Sequence, residues 1–198
     1  MISGRRMKVN EPEIQLITDF FDPEESDQLF ASLKSDVDWR QEPILIYGKK
    51  VMQPRLTAWY GDANASYRYS GIEMKPLPWI SSLALIRDRI RLQTGFEFNS
   101  VLLNQYRDGK DSMGWHRDNE PELGTDPVIA SVSFGSSRRF LFRRYRQHDQ
   151  KMELTLDHGS LLIMKGQTQM NWEHSIPKMM RVTDVRINLT FRLIQGLG

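Results

Sequence analysis

Two periodicities divide the chain. Up to about residue 95 the apolar positions fall into stretches of helical spacing, and beyond residue 99 they alternate with polar ones. After a tail over 1–13, the run Ile14-Gln15-Leu16-Ile17-Thr18 predicts a short strand. Asp22-Pro23-Glu24-Glu25 then supplies an N-cap, a proline at the first helical position and a capping-box carboxylate. A helix is predicted from there to about Lys34, with Leu29, Phe30 and Leu33 on its buried stripe. Trp79, Ile80, Leu83, Ile86 and Ile90 predict a second helix, from about Pro78 to Gln93, with Gly95 placed to end it.

Past residue 99, period-two runs predict strands over Ser100–Tyr106, Val128–Phe134, Arg138–Arg144, Glu153–Leu156, Ser160–Met164 and Val185–Leu193, separated by Gly, Asp, Ser and Pro signals. Helices followed by many short strands predict a mainly β chain with supporting helices (α+β): a two-sheet jelly roll, one domain over 1–198. No fixed-period repeat or low-complexity tract breaks that pattern.

Composition narrows the chemistry. The 198 residues include no cysteine, which excludes disulfides, thiolate zinc sites and cysteine nucleophiles, so a metal site must use His and carboxylate. A net charge of +2 does not argue nucleic-acid binding without a local basic patch. No apolar run approaches the ~20 residues of a membrane span, and the first residues lack the apolar stretch of a signal peptide. A soluble protein of the cytoplasm is expected, or of the nucleus if the source is eukaryotic, with no membrane partner and acting as a monomer.

His116 and Asp118, at i and i+2, share a face if their segment is extended. Candidates for a third ligand are His148, His158 and His174; the first two read as solvated loop residues, whereas His174 follows Trp172 and suggests a strand end inside the domain. Two His and one carboxylate leave coordination positions open on a non-haem Fe(II), although a catalytic zinc takes the same donors. What separates the two is a dicarboxylate site beside the metal. Alternation sends Arg186, Asn188, Thr190 and Arg192 to one face of the last strand. On an outer strand that face would simply be solvated. Turned into a barrel, its guanidiniums need anionic partners, and their planar forks suit carboxylates. Six residues of strand span roughly 20 Å, so the two arginines must reach inward from opposite ends, or one must support the site. Asn104 and Tyr106 offer an amide and a phenol from another strand.

Together these residues resemble the AlkB family of Fe(II)/2-oxoglutarate dioxygenases, over about residues 43–194. The resemblance implies a double-stranded β-helix with its catalytic core over about 98–195. It implies His116, Asp118 and His174 as iron ligands, and Asn104, Tyr106, Arg186, Asn188, Thr190 and Arg192 around 2-oxoglutarate. Arg192 and the three ligands form the implied catalytic set, with O2 as the other co-substrate. Segments 53–62 and 67–71 are similar to the nucleotide-recognition lid, about 43–75 here, of the branch containing the second and third human AlkB homologues. On that likeness Tyr69 stacks on a flipped base and Tyr67 and Glu120 lie near its edge. Tyr47 is the wedge of a hairpin with Gly48 and Lys49, and Asn119 stands where the second human homologue has an acidic residue. The implied activity is oxidative demethylation of 1-methyladenine or 3-methylcytosine type bases in alkylated DNA, a direct-reversal repair releasing formaldehyde. The alternative is a related oxygenase acting on RNA or protein.

One basic stretch remains. Residues 138–146 hold five arginines in nine positions around Phe140 and Phe142. A solvated strand flanking two core phenylalanines accounts for the aromatics but not for so many cations. The segment reads as a phosphate-contacting strip, with Lys49, Lys50 and Arg55 as further contacts.

Overall fold

The computed structural model describes residues 11–195 apart from 47, 66, 70 and 71. The expected wedge, Tyr47, lies outside the described residues, and for Tyr67 and Tyr69 only the strand backbone is described. In chain order the elements are β1 (Glu13–Ile17), α1 (Pro23–Asp36), β2 (Pro43–Ile46), β3 (Lys49–Met52), β4 (Leu56–Gly61), β5 (Tyr67–Tyr69) and β6 (Ile72–Met74). Then come α2 (Ser81–Thr94), β7 (Ser100–Tyr106), β8 (Met113–His116), a 3-10 turn (Pro121–Leu123), β9 (Ile129–Gly135), β10 (Arg138–Arg144) and β11 (Gln147–Leu156). The last are β12 (Ser160–Lys165), α3 (Thr168–Asn171), β13 (Trp172–Ile176) and β14 (Arg186–Arg192).

The strands form a six-stranded sheet, β1-β12-β9-β14-β7-β4, facing a four-stranded one, β11-β10-β13-β8, with two separate hairpins, β2-β3 and β5-β6. This is the jelly roll that the period-two pattern predicts. Two expectations shift in detail. Glu13 belongs to β1 rather than to a tail, its backbone N–H donating to Thr168 Oγ1 at 2.9 Å. The larger sheet also takes in β1 and β4, from outside the 98–195 stretch.

Both helices brace the larger sheet. Asp22 caps α1 as the sequence predicts, accepting from the Glu25 N–H at 2.8 Å, and Leu29 and Leu33 are buried. Helix α2 starts at Ser81, three residues later than the apolar spacing suggests, and Gly95 ends it in the left-handed region at φ 75°. Leu33, Leu83, Ile86 and Ile90 pack with Val101, Leu103, Val132, Leu189 and Phe191 from the sheet face turned away from the smaller sheet. A second cluster, with Tyr106, Phe140, Phe142, Leu162 and Met164, fills the space between the sheets.

Arg138 ties the loops at one end. It is fully buried and donates to three backbone carbonyls, those of Asp108 (3.2 Å), Asp111 (2.9 Å) and Pro177 (2.7 Å). The same loops meet at Gly109, whose N–H donates to the Val182 carbonyl at 2.8 Å; a Cβ there would lie 1.8 Å from the Met179 carbonyl oxygen, so no other residue fits.

Candidate active site

His116 and His174 are direct cross-strand partners, on β8 and β13. Their ring centroids lie 4.2 Å apart. Asp118 follows β8 and is buried, its N–H bonded to Gln169 Oε1 at 3.0 Å from α3. Candidate ligand atoms of His116, Asp118 and His174 all lie within 4.8 Å of one another, the only such His/carboxylate group of three among the described residues. His116 Nδ1 is 2.9 Å from the Gly114 carbonyl, which leaves Nε2 free to bind an ion. Phe140 stacks on the His174 ring at 5.2 Å and Phe142 meets it edge-on at 6.1 Å, so the two phenylalanines of the arginine-rich strand fix a ligand's orientation.

The electrostatics suit a divalent cation. Burial, reinforced by the charge of His116, pushes the His174 pKa down to about 3, so the imidazole is neutral. Burial alone would raise the Asp118 carboxyl; the Arg192 charge and its hydrogen bond, with the two imidazoles beside it, outweigh that and hold the group below its ordinary value. Arg192 Nη2 donates directly to Asp118 Oδ1. A neutral imidazole and an anchored carboxylate are the protonation states a metal takes.

The opposite wall comes from the larger sheet. Arg186 pairs across with Tyr106, and Asn188 with Asn104. The Arg186 guanidinium lies over the Tyr106 ring at 5.2 Å, with Arg138 over the same ring at 5.4 Å. Its Nη2 donates to Ser133 Oγ at 3.0 Å, while Nε and Nη1, fully enclosed, have no partner. Burial pushes its pKa down to about 10, with a lesser contribution from Arg138. A guanidinium does not surrender its proton in a protein, so the shift measures an unmet demand for a counter-ion. Two unpartnered nitrogens on a buried cation fit a carboxylate group.

Between the walls is a small cavity of about 30 Å³, lined by Asn104, Tyr106, His116, Asp118, His174, Asn188, Thr190 and Arg192 among others. The two arginines of β14 are thus placed apart, as the strand length requires: Arg186 enclosed behind Tyr106, Arg192 on the Asp118 carboxylate. A larger groove of about 1050 Å³ runs from the β2-β3 hairpin and Glu120 to Arg192. Gly48, Lys49 and Asn119 are exposed, and Lys50 lines the groove.

Three expectations are corrected. His158 is not a solvated loop residue: its Nδ1 accepts the Gly135 N–H at 2.8 Å, and its ring meets Phe30 and Phe134. The arginine run is not one phosphate strip, because Arg138 is buried on carbonyls, Arg139 pairs with Glu153 and Arg143 pairs with Glu173, both at 2.7 Å. Arg55 turns inward, its Nε donating to Asn104 Oδ1 at 2.7 Å. Sequence reasoning passed over Gln169, Ser131 and Ser133, which steady Asp118, Asn188 and Arg186. Only the even spacing of Ser131 and Ser133 on β9 hinted at their shared face.

A jelly roll holding a two-His, one-carboxylate group against a buried, unpaired guanidinium defines the class of site used by iron oxygenases with a 2-oxo acid co-substrate. The chain matches the 2OG-Fe(II) oxygenase superfamily over residues 13–192. It is 44% identical over 184 residues to alpha-ketoglutarate-dependent dioxygenase alkB homolog 3 of Bos taurus, covering 88% of this chain and 64% of that one. It is 42% identical over 187 residues to DNA oxidative demethylase ALKBH2 of Mus musculus, covering 89% and 78%. A solved structure titled "The structure of OsALKBH1" shares the fold with a TM-score of 0.67 at 17% identity, covering 92% of this chain and 97% of that one. The chain therefore belongs to the 2OG-Fe(II) oxygenase superfamily and, within it, to the AlkB family beside homologues 2 and 3. It spans just under two thirds of the length of the alkB homolog 3 proteins, 64% in the bovine case.

Proposed function

We propose that this chain demethylates alkylated bases in DNA oxidatively, with Fe(II), 2-oxoglutarate and O2. The observation that carries the reading is the groove that opens from the β2-β3 hairpin onto Arg192 beside the three ligands. A groove of that size admits a nucleotide, and it is far wider than the small cavity beside it. The relatives' names, a dioxygenase and a DNA oxidative demethylase, support the same choice.

His116, Asp118 and His174 would hold the iron, with Arg192 fixing the carboxylate's direction. Arg186 would take a 2-oxoglutarate carboxylate, its two free nitrogens supplying the paired bonds. When bound, iron and 2-oxoglutarate with O2 supply the oxidation of an N-methyl group to hydroxymethyl, which leaves as formaldehyde. The protein's part is positioning and exclusion of water by the packed wall of Phe140, Met164 and Ile176. Bases methylated on the pairing edge unpair cheaply, which lowers the few kcal/mol cost of flipping. Tyr67 and Tyr69 on β5 would contact the flipped base and Tyr47 would fill its gap, with Glu120 on the groove wall. Lys49 and Lys50 on the hairpin would meet phosphate.

The test is formaldehyde release from matched single- and double-stranded DNA oligonucleotides carrying 1-methyladenine, with and without Fe(II) and 2-oxoglutarate. Release that depends on both is expected, and the ratio gives strand preference. No release from protein with verified iron occupancy would move the substrate to RNA or protein.

A further inference from the structure

We infer that Arg55 is a positioning residue for the 2-oxo acid: by holding Oδ1 of Asn104 it turns the Asn104 amide N–H into the cavity. The inference rests on the proposed reading of that cavity as the 2-oxoglutarate site. Arg55 immediately precedes β4, the edge strand paired with β7, where Thr57 lies opposite Asn104. Its guanidinium crosses to β7 and donates Nε–H to Asn104 Oδ1 at 2.7 Å, with a longer contact of 3.4 Å from Nη1 to the Ser112 carbonyl.

Arginine has only donors, so the atom it holds must be the amide oxygen. Asn104 is 3% exposed and lines the cavity, and its nitrogen has no protein partner among the described residues. Asn188, its cross-strand partner, is locked in the opposite sense: its Nδ2 donates to Ser131 Oγ at 2.8 Å and to the Val132 carbonyl at 3.0 Å. The cavity therefore carries one amide fixed as a donor and one fixed as an acceptor. A 2-oxo acid, whose carboxylates only accept, needs the donor. Without Arg55, Asn104 can rotate its oxygen toward the ligand and repel it.

Arg55 also sits three residues past the end of β3, so it joins the root of the β2-β3 hairpin to the cavity. Its side-chain hydrogen bonds point inward, and burial lowers its pKa. These observations favour a part in co-substrate binding over the phosphate contact expected from sequence.

The experiment is calorimetric titration of 2-oxoglutarate, without oxygen, into Mn(II)-loaded wild type, Arg55→Met, Asn104→Ala, the double variant and Asn104→Asp. DNA affinity and melting temperature are measured on each. Arg55→Met is expected to weaken 2-oxoglutarate binding by about tenfold, one lost charge-assisted hydrogen bond. It should add nothing in the Asn104→Ala background and leave DNA affinity unchanged. Asn104→Asp keeps an acceptor for Arg55, so it should fold, yet it should bind 2-oxoglutarate at least as poorly as Asn104→Ala. Unchanged 2-oxoglutarate affinity in Arg55→Met, full additivity in the double variant, or tight binding by Asn104→Asp overturns the assignment. If wild type itself fails to bind 2-oxoglutarate, the reading of the cavity falls instead.

Discussion

Arg186 shows how a single residue can be costly to the fold and, on the function proposed, reserved for the co-substrate. Its charge is enclosed, with two nitrogens making no hydrogen bond. Arg186→Met removes that uncompensated charge at similar length, so the ligand-free protein should gain about 1 kcal/mol or more in urea denaturation. The same variant should lose most of its 2-oxoglutarate affinity; a variant both less stable and still competent to bind would contradict this account. His174 carries a pH consequence. Between pH 6.5 and about 3 the unfolded chain protonates this imidazole and the folded chain does not. The unfolded state therefore binds more protons, and His174's contribution to metal-free stability declines as pH falls through that window. A flatter pH profile of the unfolding free energy is expected for His174→Gln. Asp118→Ala should abolish Mn(II) binding and formaldehyde release while circular dichroism still reports the β fold. The variant leaves Arg192 without its carboxylate, so some loss of stability accompanies it.

At the scale of elements, legibility followed length. β7, β10 and β14 each run seven residues, long enough for alternation to declare a face, and sequence located β7 and β10 to the residue and β14 within one at each end. β8 and α3 have only four residues each, too short for either period to register, yet they seat His116 and Gln169. The three metal ligands were readable as residue types, but the pairing of His116 opposite His174 is a matter of register, which local periodicity does not encode. The arginine run was misread for the same reason, since Glu153 and Glu173 reach Arg139 and Arg143 from neighbouring strands. Of the residues proposed to meet phosphate, Lys49 and Lys50 on the hairpin are both exposed. Replacing Lys49 and Lys50 with alanine should weaken DNA binding at low salt and reduce its slope against log salt by up to roughly 1.4–1.8. It should leave 2-oxoglutarate affinity untouched, as fluorescence titration across salt concentrations would test.

Across the whole molecule, His116 and His174 stand on the smaller sheet and Asn104, Arg186 and Asn188 on the larger, with the Asp118–Arg192 bond joining the two. The unfolded chain has no such group of ligands, so metal binding is folding energy. Mn(II) at about 100 times its dissociation constant should stabilise the fold by about 2.7 kcal/mol, roughly 5–10 °C in melting temperature. EDTA should reverse the shift, and Asp118→Ala should not show it. The far end of the barrel answers to a different rule. Arg138 gathers three carbonyl oxygens from two loops much as a bound calcium ion would. This cation is covalently tethered and beyond the reach of any chelator. Demetallation should therefore loosen the triad and leave the loops around 108–111 and 177 in place, confining the slackening to the end of the molecule that must open to its substrate.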